Sequence, residues 1–174
     1  ERAATLCSGG VIDAGDLQLR PKVSNTEVPI PNTVAPGEKL GDALEDIERD
    51  SSRVLQRVPF SERRSKSTKN RFSRGNILYG KLRPYLNKVV YADAPGVCTT
   101  EIIPIEPGPA LAGRYLFHWL RHPEFLQYVS EVSHGVNMPR LGTEAGKKAP
   151  LVLAPIREQQ RIANKLDTVL ARVE

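Results

Sequence analysis

The first 155 residues carry all 13 glycines and 14 prolines of this 174-residue chain, and nothing from Ile156 to Glu174 is either. That division limits what can fold where. The punctuated part can hold only short strands and short helices, because Gly and Pro interrupt both periods every few residues. The unpunctuated tail is free to form one longer helix, and Pro155 suits its start. Ile162, Leu166, Val169, Leu170 and Val173 recur there at helical spacing with charged residues between them. The stripe predicts an amphipathic helix whose apolar side needs another helix, unless it folds back on its own domain. At 174 residues the chain suits one domain with an appendage. A start at Glu1, without Met, suggests a fragment or a trimmed chain, and a helix that stops without a cap suggests that the protein continues or that this helix packs on a partner.

Within the punctuated part, the first 40 residues read as loops or short strands, around Gly9-Gly10, Pro31-Asn32 and Pro36-Gly37. Leu40 to Arg53 suits a short helix or an acidic loop, with Leu44 and Ile47 three apart. Ser61 to Arg74 is polar and predicts an exposed loop. Gly75 to Leu82 and Tyr85 to Tyr91 are β-type runs separated by Pro84, and Val97 to Ile105 is a third. Ala110 to Arg121 and Pro123 to Val132 predict two helices; Ser133 to Gly146 predicts a loop, and Pro150 to Ala154 a strand. Strands and helices are segregated rather than alternating, which is the α+β pattern, with a mixed sheet and peripheral helices.

Charge is unevenly placed. Residues 1–52 hold five basic and ten acidic side chains, and residues 89–174 nine of each. Residues 53–88 hold eleven basic side chains and one acid, Glu62. A local surplus of ten in a chain whose net charge is +5 asks for neutralisation from outside. A solvated basic loop or a sorting signal is the plainer alternative.

Tests for chemistry return nothing catalytic. Gly75 to Lys81 has the spacing of a phosphate-binding loop, but Leu82 stands where a hydroxyl must hold magnesium. His118 and His122 are four apart, yet no further ligand completes a metal site, and both suit the partly exposed side of a helix. Cys7 and Cys98 are too few for a disulfide framework, and Cys98 suits a buried strand position better than a nucleophile. No apolar run approaches the roughly 20 residues that cross a bilayer. With no signal-peptide pattern either, a cytoplasmic location and no membrane partner are expected. We expect no catalytic residue, no metal and no cofactor.

Several segments together resemble the specificity subunits of type I restriction–modification systems. They are Gly75-Asn76-Ile77-Leu78-Tyr79-Gly80-Lys81-Leu82-Arg83-Pro84-Tyr85-Leu86-Asn87-Lys88, Gly96-Val97-Cys98-Thr99-Thr100-Glu101 and Gly135-Val136-Asn137-Met138-Pro139-Arg140-Leu141. The strand Leu151 to Pro155 and the helix Glu158 to Asp167 complete the likeness, over roughly residues 60–174. The resemblance implies a target recognition domain over 1–153 and the start of a spacer helix over 154–174. Such a domain reads one half of a split double-stranded DNA sequence and has no activity of its own. The spacer helices pair, set the half-site distance and dock methyltransferase subunits, and through them the restriction subunit. A full subunit has two recognition domains. This chain looks like half of one, so a second half or a second copy is an expected partner through Ile162, Leu166, Val169, Leu170 and Val173.

Within that frame, Arg63, Arg64, Lys66, Lys69, Arg71 and Arg74 are candidates for neutralising phosphates. Asn70, Lys81, Arg83, Asn87, Lys88, Asn137 and Arg140 are candidates for DNA contact, the Arg and Asn side chains having the forked geometry that reads base edges. Lys81 and Arg83 would serve equally well in internal ion pairs, and Thr99, Thr100 and Glu101 suit a structural role. Two rival readings remain. One is the recognition domain of a fused restriction or methylation enzyme, which a methyltransferase motif upstream of Glu1 would reveal. The other is an RNA-binding accessory protein, which needs stacking aromatics among Phe60, Phe72, Tyr79 and Tyr85.

Overall fold

The run Ile77-Leu78-Tyr79 is apolar on both sides because both faces of its strand are covered. In this computed structural model, residues 47–55 and 68–172 are described, with three two-residue strands: β1 (Val11–Ile12), β2 (Lys39–Leu40) and β3 (Val58–Pro59). The further strands are β4 (Lys69–Phe72), β5 (Ile77–Gly80), β6 (Val89–Tyr91), β7 (Gly96–Thr99), β8 (Ile102–Ile105) and β9 (Leu151–Val152). The helices are α1 (Gly113–Trp119), α2 (Pro123–Val132), α3 (Thr143–Lys147) and α4 (Ile156–Leu170). Chain organisation is α+β, as expected.

Strand β5 lies between β6 and β8 in an antiparallel three-stranded sheet. Its alternate side chains part company: Ile77 and Tyr79 join a core with Leu116, Leu120, Phe125 and Val129 of the helices. Leu78 instead joins Phe72, Val90, Cys98 and Ile102 on the other face. Each large side chain so buried contributes about 1.5–3 kcal/mol. Tyr79 meets Phe125 edge to face, with ring centroids 5.7 Å apart.

A second sheet has the order β3-β2-β7-β4, with β2 parallel to β7 and the other pairs antiparallel. The mixed sheet inferred from the sequence is therefore present. The expected single strand from Val97 to Ile105 is two strands, because the chain turns at Thr100-Glu101 and passes from one sheet to the other. The Asn70 amide Nδ2 donates to the Ile102 carbonyl at 3.1 Å and ties the sheets together. The polar segment expected to loop as far as Arg74 is strand at Lys69–Phe72, since pairing with β7 satisfies its backbone.

Other boundaries differ for local reasons. Tyr85 belongs to a 3-10 turn, Pro84–Leu86, rather than to the following strand. The part of Leu40–Arg53 that is described is not helical: Ile47 bridges Val54 and closes a turn in which Asp50 and Ser52 take positive φ. In α2 the expected bounds hold, with Pro123 in its first turn and the His122 imidazole accepting from the Glu124 N–H. The Ser133 to Gly146 loop contains α3, and β9 pairs with β1.

Helix α4 does fold onto its own domain, by a face centred on Gln159 and Ala163, with Ile162 packed at its edge. Gln159 is fully buried: its Oε1 accepts from the Ala112 N–H at 2.8 Å. Its Nε2 donates to the carbonyls of Ala110 (3.0 Å) and Ala154 (2.7 Å). Of the expected partner stripe, Leu166, Val169 and Leu170 remain exposed, and Val173 lies outside the described residues. Among the described residues, no helix is long and apolar enough to cross a membrane.

Candidate nucleic-acid interface

Two segments more than fifty residues apart are joined here by backbone. Leu82 bridges Arg140, the Arg83 N–H donates to the Pro139 carbonyl at 2.7 Å, and the Leu141 N–H donates to the Lys81 carbonyl at 3.0 Å. The Lys81 N–H in turn donates to the Glu101 carbonyl at 2.9 Å. This junction brings the backbone of Lys81–Arg83 beside that of Arg140, forming a rim on which Lys81 and Arg83 are half-buried and Arg140 is exposed, with Asn137 exposed on the adjoining turn. Proline dictates part of the geometry. Pro84 opens the 3-10 turn, and Arg83 before it takes φ 50° and ψ 62°, a left-handed conformation that costs a non-glycine residue about 1–2 kcal/mol.

The charged groups of the rim are not neutralised evenly. Among the described residues, neither Lys81 nor Arg83 forms an ion pair. Arg83 Nε is buried with no hydrogen-bond partner among those residues. Arg140 Nε stands 3.4 Å from a carboxylate oxygen of Glu101. Glu101 sits on the turn between the sheets, not within a strand, and faces the Arg140 guanidinium, in keeping with the structural role expected for it.

The remaining candidates divide. Arg71 and Arg74 are exposed on and just after β4, and Lys69 is half-buried at its start. Asn70 is engaged by the Ile102 carbonyl. Asn87 is buried at φ 49°, its N–H donating to the Pro84 carbonyl at 3.0 Å, so it shapes the turn from within and does not face outwards. Lys88 is half-buried beside it. Arg63, Arg64 and Lys66 lie outside the described residues. Of the aromatics that RNA stacking would need, Phe72 and Tyr79 are buried, Tyr85 is half exposed, and Phe60 lies outside the described residues.

The seam between α1 and α4 is electrostatically closed. Asp167 accepts from Arg114 Nε at 3.0 Å, from the other Arg114 nitrogen, and from His118 Nε2 at 2.7 Å. The carboxylate can only accept, so the neutral His118 ring carries its proton on Nε2. Burial pushes the Asp167 carboxyl up, but the Arg114 and His118 hydrogen bonds outweigh it and hold it below the usual range. Burial lowers His118, and the Arg114 and Arg121 charges add to that against the upward pull of Asp167. His118 is half-buried with its side chain turned into the seam, while the exposed His122 stacks on Trp119 and caps α2.

A family model described as the type I restriction modification DNA specificity domain matches residues 64–174. The chain belongs to that family. It is 29% identical over 105 residues to the type I restriction enzyme EcoDI specificity subunit of Escherichia coli. That match covers 60% of this chain and 23% of the relative. The fold is similar to that of the HsdS subunit from Thermoanaerobacter tengcongensis, with a TM-score of 0.65 and 18% identity over 75% of this chain and 35% of that one. It is equally similar, with a TM-score of 0.66 and 18% identity, to a chain in a structure of a type I R-M system. There too it covers 75% of this chain and 35% of the other. The chain therefore spans about a quarter of the length of the curated relative and about a third of the solved chains. The matched region contains both the Lys81–Arg83 and the His134–Leu141 sides of the rim, and the Gln159 anchor of α4.

Proposed function

We propose that this specificity domain binds double-stranded DNA and reads one half of a split target. In this reading it directs methyltransferase subunits, and through them restriction subunits, without chemistry or a cofactor of its own, in the cytoplasm. The observation that carries the reading is the backbone junction that joins the Lys81–Arg83 segment to Arg140 within the region matched to the DNA specificity family. Forked guanidinium groups held on rigid backbone suit guanine edges, each good pair being worth about 1–3 kcal/mol of discrimination. Lys69, Arg71 and Arg74 on and beside β4 suit phosphates, as do Arg63, Arg64 and Lys66 in the segment before it.

Residues 154–174 act in this reading as the beginning of a spacer helix. Its first turns are anchored to the domain by Gln159, and the exposed Leu166, Val169 and Leu170 beyond them suit a second helix. That helix belongs to a second recognition half or a second copy.

Selection of bound sites from random duplex DNA, with methyltransferase subunits present, tests the reading. One enriched sequence is the expected result, and absence of any enrichment refutes it. The β4 side is tested by replacing Lys66, Lys69 and Arg71 together with Ala. Because each lost phosphate contact removes about 0.9 from the slope of log K against log salt, the slope should fall by about 2–3. An unchanged slope would remove these residues from the phosphate role.

A further inference from the structure

Between His134 and Arg140 the chain makes a tight turn closed at its base by two hydrogen bonds. The His134 N–H donates to the Arg140 carbonyl (3.1 Å), and the Arg140 N–H returns to the His134 carbonyl (2.9 Å). The bonds to Lys81 and Arg83 fix the same base to β5 and its following turn. Gly135 permits the turn: at φ 113° a Cβ there would meet the Met138 carbonyl oxygen at 3.1 Å. Pro139 stiffens the other side. At the tip, Val136 is 99% exposed and Met138 is 50% exposed. Isolated exposed apolar residues need no explanation. Two on one pinned tip, beside a cationic rim, are a different arrangement, because the ordering that would oppose insertion has already taken place in the free protein.

We propose that Val136 and Met138 form a wedge that enters a base step of the bound duplex and unstacks it. The inference rests on the DNA-reading function above and adds a second way of reading sequence to it. Lys81, Arg83 and Arg140 flank the base of the turn, and Glu101 engages the Arg140 guanidinium from the domain side. That charge pattern favours a polyanion over an apolar protein groove as the occupant. An apolar wedge flanked by cations lets phosphates be held while a step is opened, and steps differ in how easily they open. Flexible pyrimidine–purine steps would therefore be preferred at a position where no side chain touches a base edge.

The test uses the full chain and its selected duplex, with 2-aminopurine placed at successive positions. Fluorescence should rise several-fold at one step, where stacking is lost. In the Val136→Ala, Met138→Ala double variant the rise should disappear and affinity should fall about five- to tenfold, since the apolar wedge that occupies the opened step is lost. The slope of log K against log salt should stay unchanged, because no cation is removed. Met138→Leu should retain most of the rise. Both side chains project from the surface, so the melting temperature of the double variant should match that of the parent.

Tight binding with flat fluorescence at every position overturns the wedge and leaves the DNA-reading function standing. So does a rise that survives in the double variant, or a double variant that binds DNA normally and fails only to assemble with methyltransferase subunits. Failure of the parent to bind any selected duplex overturns both.

Discussion

The α1–α4 seam and the Lys81–Arg83–Arg140 rim are both polar and both built from residues distant in sequence, yet they are finished to different degrees. In the seam, every side-chain amide group of Gln159 has a partner, and Asp167 collects Arg114 and His118. On the rim, a non-glycine residue is held left-handed, Arg83 Nε has no hydrogen-bond partner among the described residues, and apolar side chains project beside it. Most buried polar groups of a folded domain are hydrogen-bonded, and among the described residues the exceptions include Arg83 Nε on the rim and the Tyr79 hydroxyl in the core. The seam holds the domain together. The rim leaves charged and polar groups available to solvent or to a ligand.

The largest effect should come from breaking the seam at its centre. Gln159→Leu keeps the volume but strands one N–H and two carbonyls, at a cost of about 3 kcal/mol in stability. For a chain of this size that lowers the melting temperature by roughly 10 °C. Below the transition, DNA affinity should be unchanged. Equal melting of variant and parent would show that the three hydrogen bonds do not anchor α4.

Arg83→Gly separates the regions in the opposite sense. Glycine adopts φ 50° without strain, so stability should hold or rise by up to about 1 kcal/mol. DNA affinity should nevertheless fall by about 1–2 kcal/mol, roughly tenfold, as one fork is lost. A variant that loses stability and keeps its affinity would make Arg83 a structural residue and reverse the contrast. Denaturant melts and fluorescence anisotropy, run on the same preparation, read both quantities.

How far each region was legible beforehand follows from the range of the interactions that build it. Pro123 with the Phe125–Leu126–Val129 spacing specifies α2, and the apolar run of β5 with Pro84 beyond it specifies that strand and its end, because those signals are local. The rim residues were singled out only through segments resembling a family; nothing in their own neighbourhood says that Leu82 bridges Arg140. The β4 strand and the sheet change at Thr100-Glu101 are fixed by pairing with distant chain, and no Gly or Pro marks that turn. The inner face of α4 is not marked by its apolar stripe, for a physical reason. Its apolar stripe is the conspicuous pattern, but the domain is gripped by Gln159 and Ala163, whose burial depends on carbonyls supplied from residues 110 and 154.

The smallest expected effect is the response of the seam to acid. His118 is lowered in the folded state, so the unfolded chain takes up a proton first as the pH falls through about 6.5. Stability from the neutral ring is therefore full above that value and declines below it. Asp167, also lowered, contributes stability above its unfolded value of about 3.9, which is lost as the pH falls towards its folded pKa. The two add in sign but act in separate windows, so the seam should loosen in two stages, while the rim has no comparable buried acid–imidazole pair. His118→Gln retains an N–H that can donate to Asp167 and cannot titrate. Melting temperatures taken at constant ionic strength should then vary less between pH 7 and 5 than in the parent, with the lower stage intact. An unchanged slope between pH 7 and 5 in the variant would place the titrating group elsewhere and leave the seam insensitive to mild acid.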